Sequence, residues 1–324
     1  MTKTLLSIVA IAGALTLGSQ AMAQAFPNRP VRIITAFSAA SGPDVMLRHV
    51  AEGLSKKWKV PVVVDNRPGG SGFIAISEAK QASPDGYTLL HIEGVNVTAV
   101  PHMYAKVPYD AKKDLVPITP LHGNYFFVAV PATSPWTRMD QLIAEARKAP
   151  GKVSYGSWQV GSIAHIGGEM LADRSNASML HVVFKQNTML YQSLARGDVD
   201  WAYASIASAG ALEKAGKIRF LALAGPSREA ARPDVPTVTE SGGPEGLEAS
   251  SWVGVFARSG TPASVVTQIN ADLQAVLASA PIVHAMQEVG YSAMYMTPNA
   301  TTAMIDKQDR DLGAIIKKIN LKLD

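Results

Sequence analysis

Strand-like apolar runs alternate with helical patterns along almost the whole chain, and this alternation limits the possible folds more than any other sequence feature. The run at 31–34 is followed by Met46, Val50 and Leu54 at helical spacing, and then by the run at 62–64. A further helical stretch at about 73–81 and a further strand at 87–92 continue the series. Connections of this β-α-β kind predict an α/β fold, with a mainly parallel sheet and helices on both faces.

A second series of the same kind predicts a second α/β lobe, as expected for a chain longer than one core usually supports. A Gly-rich loop at 241–246 ends this series, and the last segment is expected to return to the first lobe. The predicted lobes are therefore residues 24–123 plus 249–324 for lobe 1 and 124–248 for lobe 2. The strands expected in lobe 2 lie at 126–130, 153–155, 179–183, 201–204 and 220–224.

The amino terminus has the three parts of an export signal. Lys3 precedes an apolar run from Leu5 to Leu17, and Ala21-Met22-Ala23 follows. We therefore expect residues 1–23 to be a signal peptide that is removed, with an uncleaved signal anchor as the alternative. The chain contains no cysteine, so neither a disulfide nor a lipid-anchored cysteine is expected. The mature protein is expected to be free in the periplasm.

Composition and motifs exclude several classes of function. The chain has 30 Lys and Arg against 26 Asp and Glu, and the two signs are interspersed, so nucleic acid is not an expected partner. No metalloprotease, Walker or dinucleotide motif occurs, so neither a metal nor a cofactor is expected. A secreted hydrolase acting on a carboxylate ester is an alternative, although the Gly-x-Ser-x-Gly elbow is missing. A purely structural role is a further alternative.

Eight short segments, in order and at sensible spacing, resemble the Bug-type periplasmic solute-binding proteins of tripartite tricarboxylate transporters. The resemblance covers essentially the whole mature chain. It implies a type II periplasmic-binding-protein fold, in which two α/β lobes enclose a ligand cleft and crossover strands act as the hinge. The segments are 26–33 (FPNRPVRI), 62–72 (VVVDNRPGGSG), 84–90 (PDGYTLL), 107–110 (VPYD), 155–157 (YGS), 161–162 (GS), 233–238 (PDVPTV) and 260–262 (GTP).

The resemblance also implies a function. Proteins of this kind capture a small carboxylate without chemical change and deliver it to an inner-membrane permease, so the chain is expected to be a binding protein and not an enzyme. A monomer is expected.

The first candidate binding loop follows the first strand, because open parallel sheets bind ligands at the carboxyl ends of their strands. A helix amino terminus at such an edge carries unpaired N–H groups that hold an anion. The resembling family has glycines where this chain has Ala40 and Ser41. Asp44 has the alternative role of a helix cap. The candidates in this loop are Phe37, Ser38, Ala39, Ala40, Ser41 and Asp44.

The second candidate loop precedes a helix in lobe 2. Ser157, Gly161 and the neighbouring Ser162 are expected to present donors, and Trp158 is expected either to stack on a planar ligand or to pack on its own lobe. His165 matches a family histidine and has the alternative role of satisfying a backbone group.

Further candidates come from three other strand ends. They are Asn96, Thr98, Lys185, Gln186, Tyr203 and Ala204. Ala204 stands where the resembling family commonly has an acidic residue, and a buried ligand ammonium would need such a partner. We therefore expect a ligand without an ammonium group. Glu93 would repel an anion, so it is expected to turn away or to hydrogen-bond a neutral part of the ligand.

Four aromatic residues near these loops suggest an aromatic acid of the phthalate or terephthalate kind as the guest, unless some of the rings belong to the core. These residues are Phe37, Trp158, Phe184 and Tyr203.

Overall fold

The computed structural model describes residues 26–184, 186–288 and 291–323. The predicted signal peptide and Lys185 lie outside the described residues. Within them, no helix is both long and apolar enough to cross a membrane.

The first part of the described chain alternates strands and helices as the sequence predicts. Its elements are β1 (Val31–Thr35), α1 (Gly42–Trp58), β2 (Val62–Asn66), α2 (Phe73–Gln81), β3 (Thr88–Glu93), α3 (Val95–Thr98), α4 (Val100–Met103) and α5 (Ala111–Asp114).

The second series follows a long strand. Its elements are β4 (Leu115–Pro131), α6 (Met139–Lys148), β5 (Ser154–Ser157), α7 (Ile163–Arg174), β6 (Leu180–Val183), α8 (Asn187–Arg196), β7 (Trp201–Ala204), α9 (Ile206–Lys214) and β8 (Ile218–Ala224). The last segment contains β9 (Ser250–Arg258), α10 (Ala263–Leu277), α11 (Ala280–Glu288), β10 (Ser292–Ala293) and α12 (Pro298–Lys318).

The strands form two α/β lobes that share a curled sheet. Its order is β2-β1-β3-β9-β4-β7-β5-β6, and β8 and β10 also pair with β4. The outer pairs are parallel, as in β1 with β2 and β5 with β6. The central strands β9 and β4 are antiparallel to their neighbours, so the sheet is parallel only towards its two edges.

The long strand β4 differs from the sequence prediction, which began a new strand near residue 126. Its first part pairs with β9, and its last part, from Phe126 to Pro131, pairs with β8. Pro117 and Pro120 lie in its first part, and proline cannot donate to a strand ladder. The register shifts next to both prolines, and these irregularities let the strand continue.

Each lobe has its own apolar core. In the first, α1 and α10 pack over β1 through side chains such as Leu47 and Leu273. In the second, α6 and α7 pack against β5 and β7 through residues such as Leu142 and Tyr155. The carboxyl-terminal half of α12 contributes Ile315 to the second core, although the helix follows the strands of the first lobe.

Two helix glycines test this packing. A Cβ on Gly168 in α7 would lie 2.2 Å from the ring of the buried Tyr155, whereas one on Gly210 in α9 would meet Ile206 at 3.3 Å. Gly168→Ala should therefore lower the free energy of unfolding by about 1–3 kcal/mol through overpacking. Gly210→Ala should be neutral or stabilising by up to about 1 kcal/mol, because alanine favours helix. Urea unfolding measures both, and equal effects would contradict the described contact.

Candidate functional site

A cavity of about 320 Å³ lies where loops from both lobes meet, and we call it the cleft. Ala36 and Phe37 follow β1, Glu93 ends β3, and Asn96 lies in α3. The stretch 158–163, between β5 and α7, forms the opposite wall. The cleft is therefore built at the carboxyl ends of parallel strands, the edge at which the sequence predicts the site.

The loop after β5 ends at the amino terminus of α7. The Ser162 hydroxyl accepts a hydrogen bond from the N–H of His165 at 3.3 Å and so caps the helix. The N–H groups of Ile163 and Ala164 precede the first intrahelical hydrogen bond, so the helix itself leaves them without acceptors. Together with the positive end of the helix dipole, they favour an anion.

His165 positions this loop and does not line the cleft. Its Nδ1 accepts a hydrogen bond from the N–H of Gly161 at 3.1 Å, so that nitrogen must carry no hydrogen. Its ring stacks on His181, with 4.0 Å between ring centroids. The Nε2 of His181 lies 2.7 Å from the hydroxyl of the buried Ser157. His165, with His181 stacked on it, therefore supports the wall of the cleft.

The buried carboxylate of Asp44 holds the loop after β1 in place. Its carboxylate accepts hydrogen bonds from the N–H of Ala40 at 2.8 Å, from Asn66 at 2.7 Å and from Arg48 at 3.0 Å. Burial alone would raise the pKa of Asp44, but the bonds from Arg48, Asn66 and Ala40 outweigh burial and hold the pKa below its usual value. Ala40 has a φ of 64°, in the left-handed region that glycine tolerates best.

The structure brings some of the predicted residues to the cleft. Phe37, Asn96, Trp158 and Gly161 line it. The amide of Asn96 donates to the carbonyl of Ser71 at 2.6 Å, which joins α3 to the loop after β2.

Other predicted residues lie elsewhere. Ser38, Ala39 and Ala40 are exposed and do not line the cleft, and the hydroxyl of Ser41 donates back to the Ser38 carbonyl. Gln186 is exposed at the start of α8.

Three further predicted residues are buried away from the cleft, in addition to Asp44, Ser157 and His165. Thr98 donates its hydroxyl to the Gly94 carbonyl at 3.0 Å. Tyr203 is fully buried in the second core, where its hydroxyl donates to the carbonyl of Gly167. Ala204 is equally buried at the end of β7. Their strand and helix positions, between packed neighbours, keep these side chains out of the cleft.

The cleft also has walls that the sequence reasoning did not select. Ser71 and Gly72 come from the Gly-rich loop after β2, whose small residues were a usable signal. Tyr104, Ser251 and Leu323 come from distant parts of the chain, and no local sequence pattern identifies them as residues of the cleft. Glu93, expected to turn away or to meet a neutral ligand group, lines the cleft and accepts a hydrogen bond from Ser251 at 2.9 Å.

A second cavity of about 560 Å³ lies between β4 and the segment after α11. Tyr125, Phe127, Met286 and Tyr291 give it a mainly apolar lining. The helix that starts at its wall, α9, has a capping box formed by Ser205 and Ser208. The smaller cleft, in contrast, is lined by residues that follow β1, β3 and β5, and we therefore take it as the candidate site. Among the described residues, no group of three His, Asp or Glu side chains is placed to hold a metal ion.

The paired histidines make stability depend on pH. Burial and then the nearby His165 lower the pKa of His181 from 6.5 to about 4, and burial also lowers that of His165. The folded state therefore binds fewer protons than the unfolded state in this range. The contribution of these histidines to the free energy of unfolding is fully present above pH 6.5 and is lost as the pH falls towards 4.

Replacing His181 tests this dependence. Thermal unfolding between pH 4 and 7 should show a smaller loss on acidification for His181→Phe than for the wild type. The exposed His49 offers a control, and His49→Gln should follow the wild-type curve. Parallel curves for all three proteins would contradict the role given to His181.

The chain is similar to known proteins over most of its length. Residues 46–321 match the family described as tripartite tricarboxylate transporter family receptor, TctC. A protein encoded in the tcbD-tcbE intergenic region of Pseudomonas sp. strain P51 is 33% identical, over 82% of this chain and 79% of its own.

Two solved structures support the same fold. A TctC solute-binding protein from Polaromonas has a TM-score of 0.84 at 23% identity, covering 90% of this chain and 99% of its own. An R. palustris protein solved with adipate has a TM-score of 0.70 at 27% identity, covering 92% of this chain and 100% of its own.

These findings confirm the predicted family and its type II periplasmic-binding-protein fold. Receptors of this family are periplasmic binding proteins and not enzymes. The chain belongs to the TctC family of solute-binding receptors of tripartite tricarboxylate transporters.

Proposed function

We propose that this protein captures a small carboxylate in the cleft and hands it unchanged to the inner-membrane permease of its transporter. The observation that carries the proposal is the meeting of three strand-end loops at one cavity that the amino terminus of α7 also reaches. A carboxylate there accepts hydrogen bonds from N–H groups that the helix cannot satisfy. Charge-assisted bonds of this kind contribute about 1.5–3 kcal/mol each.

The adipate of the R. palustris relative supports an aliphatic dicarboxylate as one guest. The cleft volume of about 320 Å³ falls within the range usual for small-molecule sites.

The division into lobes belongs to the same proposal. We take residues 24–123 plus 249–324 as lobe 1 and 124–248 as lobe 2, with the crossover strands β4 and β9 as the hinge. Ligand that contacts both lobes would favour a closed form, which the permease then recognises. The protein acts as a monomer in the periplasm, after removal of residues 1–23.

An aromatic carboxylate is the finer part of the proposal. Phe37, Tyr104 and Trp158 line the cleft, so a planar ring has aromatic faces to pack against. Tyr203, which suggested the same guest, is part of the core, and Phe184 does not line the cleft. Phthalate and terephthalate are accordingly the aromatic acids to compare with adipate.

A thermal-shift screen tests the proposed capture. Mono- and dicarboxylates, both aliphatic and aromatic, should include at least one that raises the melting temperature, because a ligand that binds only the folded state stabilises it by RT ln(1 + [L]/Kd). The corresponding methyl esters serve as controls, since they lack the negative charge. No shift with any acid, or equal shifts with acids and esters, would contradict the proposal.

Substitution of Trp158 tests whether the protein prefers an aromatic ligand. Trp158→Ala should weaken terephthalate binding about fivefold, which corresponds to roughly 1 kcal/mol of lost ring packing. Adipate binding should change less than about twofold, since adipate has no ring. Calorimetric titration measures both. Trp136→Ala is the matched control, because Trp136 packs on the second core and does not line the cleft. Equal losses for the two ligands would remove the aromatic preference.

A further inference from the structure

Among the described residues that line the cleft, Glu93 is the only one with an acidic or basic side chain. It ends β3, where its backbone pairs with Val253 of β9. The Ser251 hydroxyl donates to its Oε1 at 2.9 Å, which fixes one carboxyl oxygen. The carboxyl group is thus held at the wall of the cleft.

The described residues around Glu93 include no Lys, Arg or His close enough to compensate a negative charge. Among residues 26–184, 186–288 and 291–323, no Lys, Arg or His forms an ion pair with Glu93. Ser251 faces it from β9, and Val95 and Asn96 of α3 share its wall. Tyr291, after α11, is the titratable group close enough to be affected: burial and then Glu93 raise the pKa of its hydroxyl.

These surroundings favour the uncharged acid. Burial raises the pKa of Glu93 above its ordinary value of 4.5, and the bond from Ser251 opposes this shift only in part. An ionised carboxylate at this half-buried position would lose part of its hydration without gaining a cation among the described residues. A carboxylic acid, in contrast, keeps one O–H to donate.

We propose that Glu93 is a specificity-determining residue that donates the hydrogen of its uncharged carboxyl group to the second carboxylate of a dicarboxylate ligand. The first carboxylate occupies the amino terminus of α7. This inference rests on the proposed function and adds to it that capture is coupled to the protonation of Glu93. Carboxylic acid and carboxylate then share one hydrogen in a short, charge-assisted bond.

Adipate and hexanoate test the inference, because they have equal chain lengths and differ in the second carboxylate. Calorimetric titrations between about pH 6.5 and 9 keep both acids ionised. Wild-type protein should bind adipate more tightly than hexanoate, and adipate affinity should fall as pH rises, by up to about tenfold per unit once Glu93 ionises. Hexanoate affinity should stay flat.

Two variants separate donation from mere polarity. Glu93→Gln keeps a donor of the same shape, so it should still prefer adipate but with no dependence on pH. Glu93→Leu lacks a donor, so it should bind adipate and hexanoate about equally. A preference that survives in Glu93→Leu, or adipate affinity that rises with pH, overturns the inference.

The outcomes also separate this inference from the proposed function. If both acids bind the wild type equally well at every pH, the inference fails while carboxylate capture stands. If neither acid binds and the carboxylate screen is also negative, the proposed function fails and the inference fails with it.

A measurement without ligand checks the charge state alone. Because the pKa of Glu93 is raised in the folded state, its contribution to the free energy of unfolding is fully present below pH 4.5. This contribution is lost as the pH rises through the folded-state pKa of Glu93. Glu93→Gln cannot ionise, so its melting temperature relative to the wild type should increase with pH. A constant difference across the range would show an ionised Glu93 and overturn the inference.

Discussion

The hydrogen-bonded pair of β4 and β9 is the constraint on which the rest of the structure depends. The register of this pair runs from Leu115 opposite Arg258 to Tyr125 opposite Ser250. Immediately beyond it, Phe126 donates its N–H to the carbonyl of Ala249, and β4 then pairs with β8. Both lobes are therefore joined by one pair of hydrogen-bonded strands. This pair fixes the relative positions of the loops that form the cleft.

The carboxyl-terminal helix α12 adds a second connection between the lobes. Its Leu312 and Ile315 lie in the core of the second lobe, while Asp309 pairs with His102 on α4 at 2.7 Å. Arg174 on α7 reaches Asp311 at 3.1 Å. Because α7 also starts at the cleft, a movement of α12 would be transmitted to the end of that helix that lines the cleft. Hinge motion must therefore preserve or exchange these contacts.

Local sequence patterns were sufficient for most elements and for the general place of the site. The helical stretch 73–81 and the strand 201–204 coincide with α2 and β7, because their apolar spacing matches one period without interruption. The prediction did not include the first part of β4, since only the neighbouring strands decide whether a segment that contains prolines joins a ladder. Phe37 and Trp158 line the cleft, whereas Tyr203 fills the second core, and nothing in their flanking residues distinguishes the two situations.

The sequence by itself determined the alternation of strands and helices, the family and the edge of the sheet at which the cleft lies, because each depends on short-range periodicity or on contiguous motifs. Only the tertiary structure decided that Glu93 meets Ser251 from a strand 158 residues later, and that Leu323 closes the same cavity. Such contacts depend on how separate elements pack. Burial, and with it the charge state of Glu93, is therefore a property of the assembled lobes and of no local pattern.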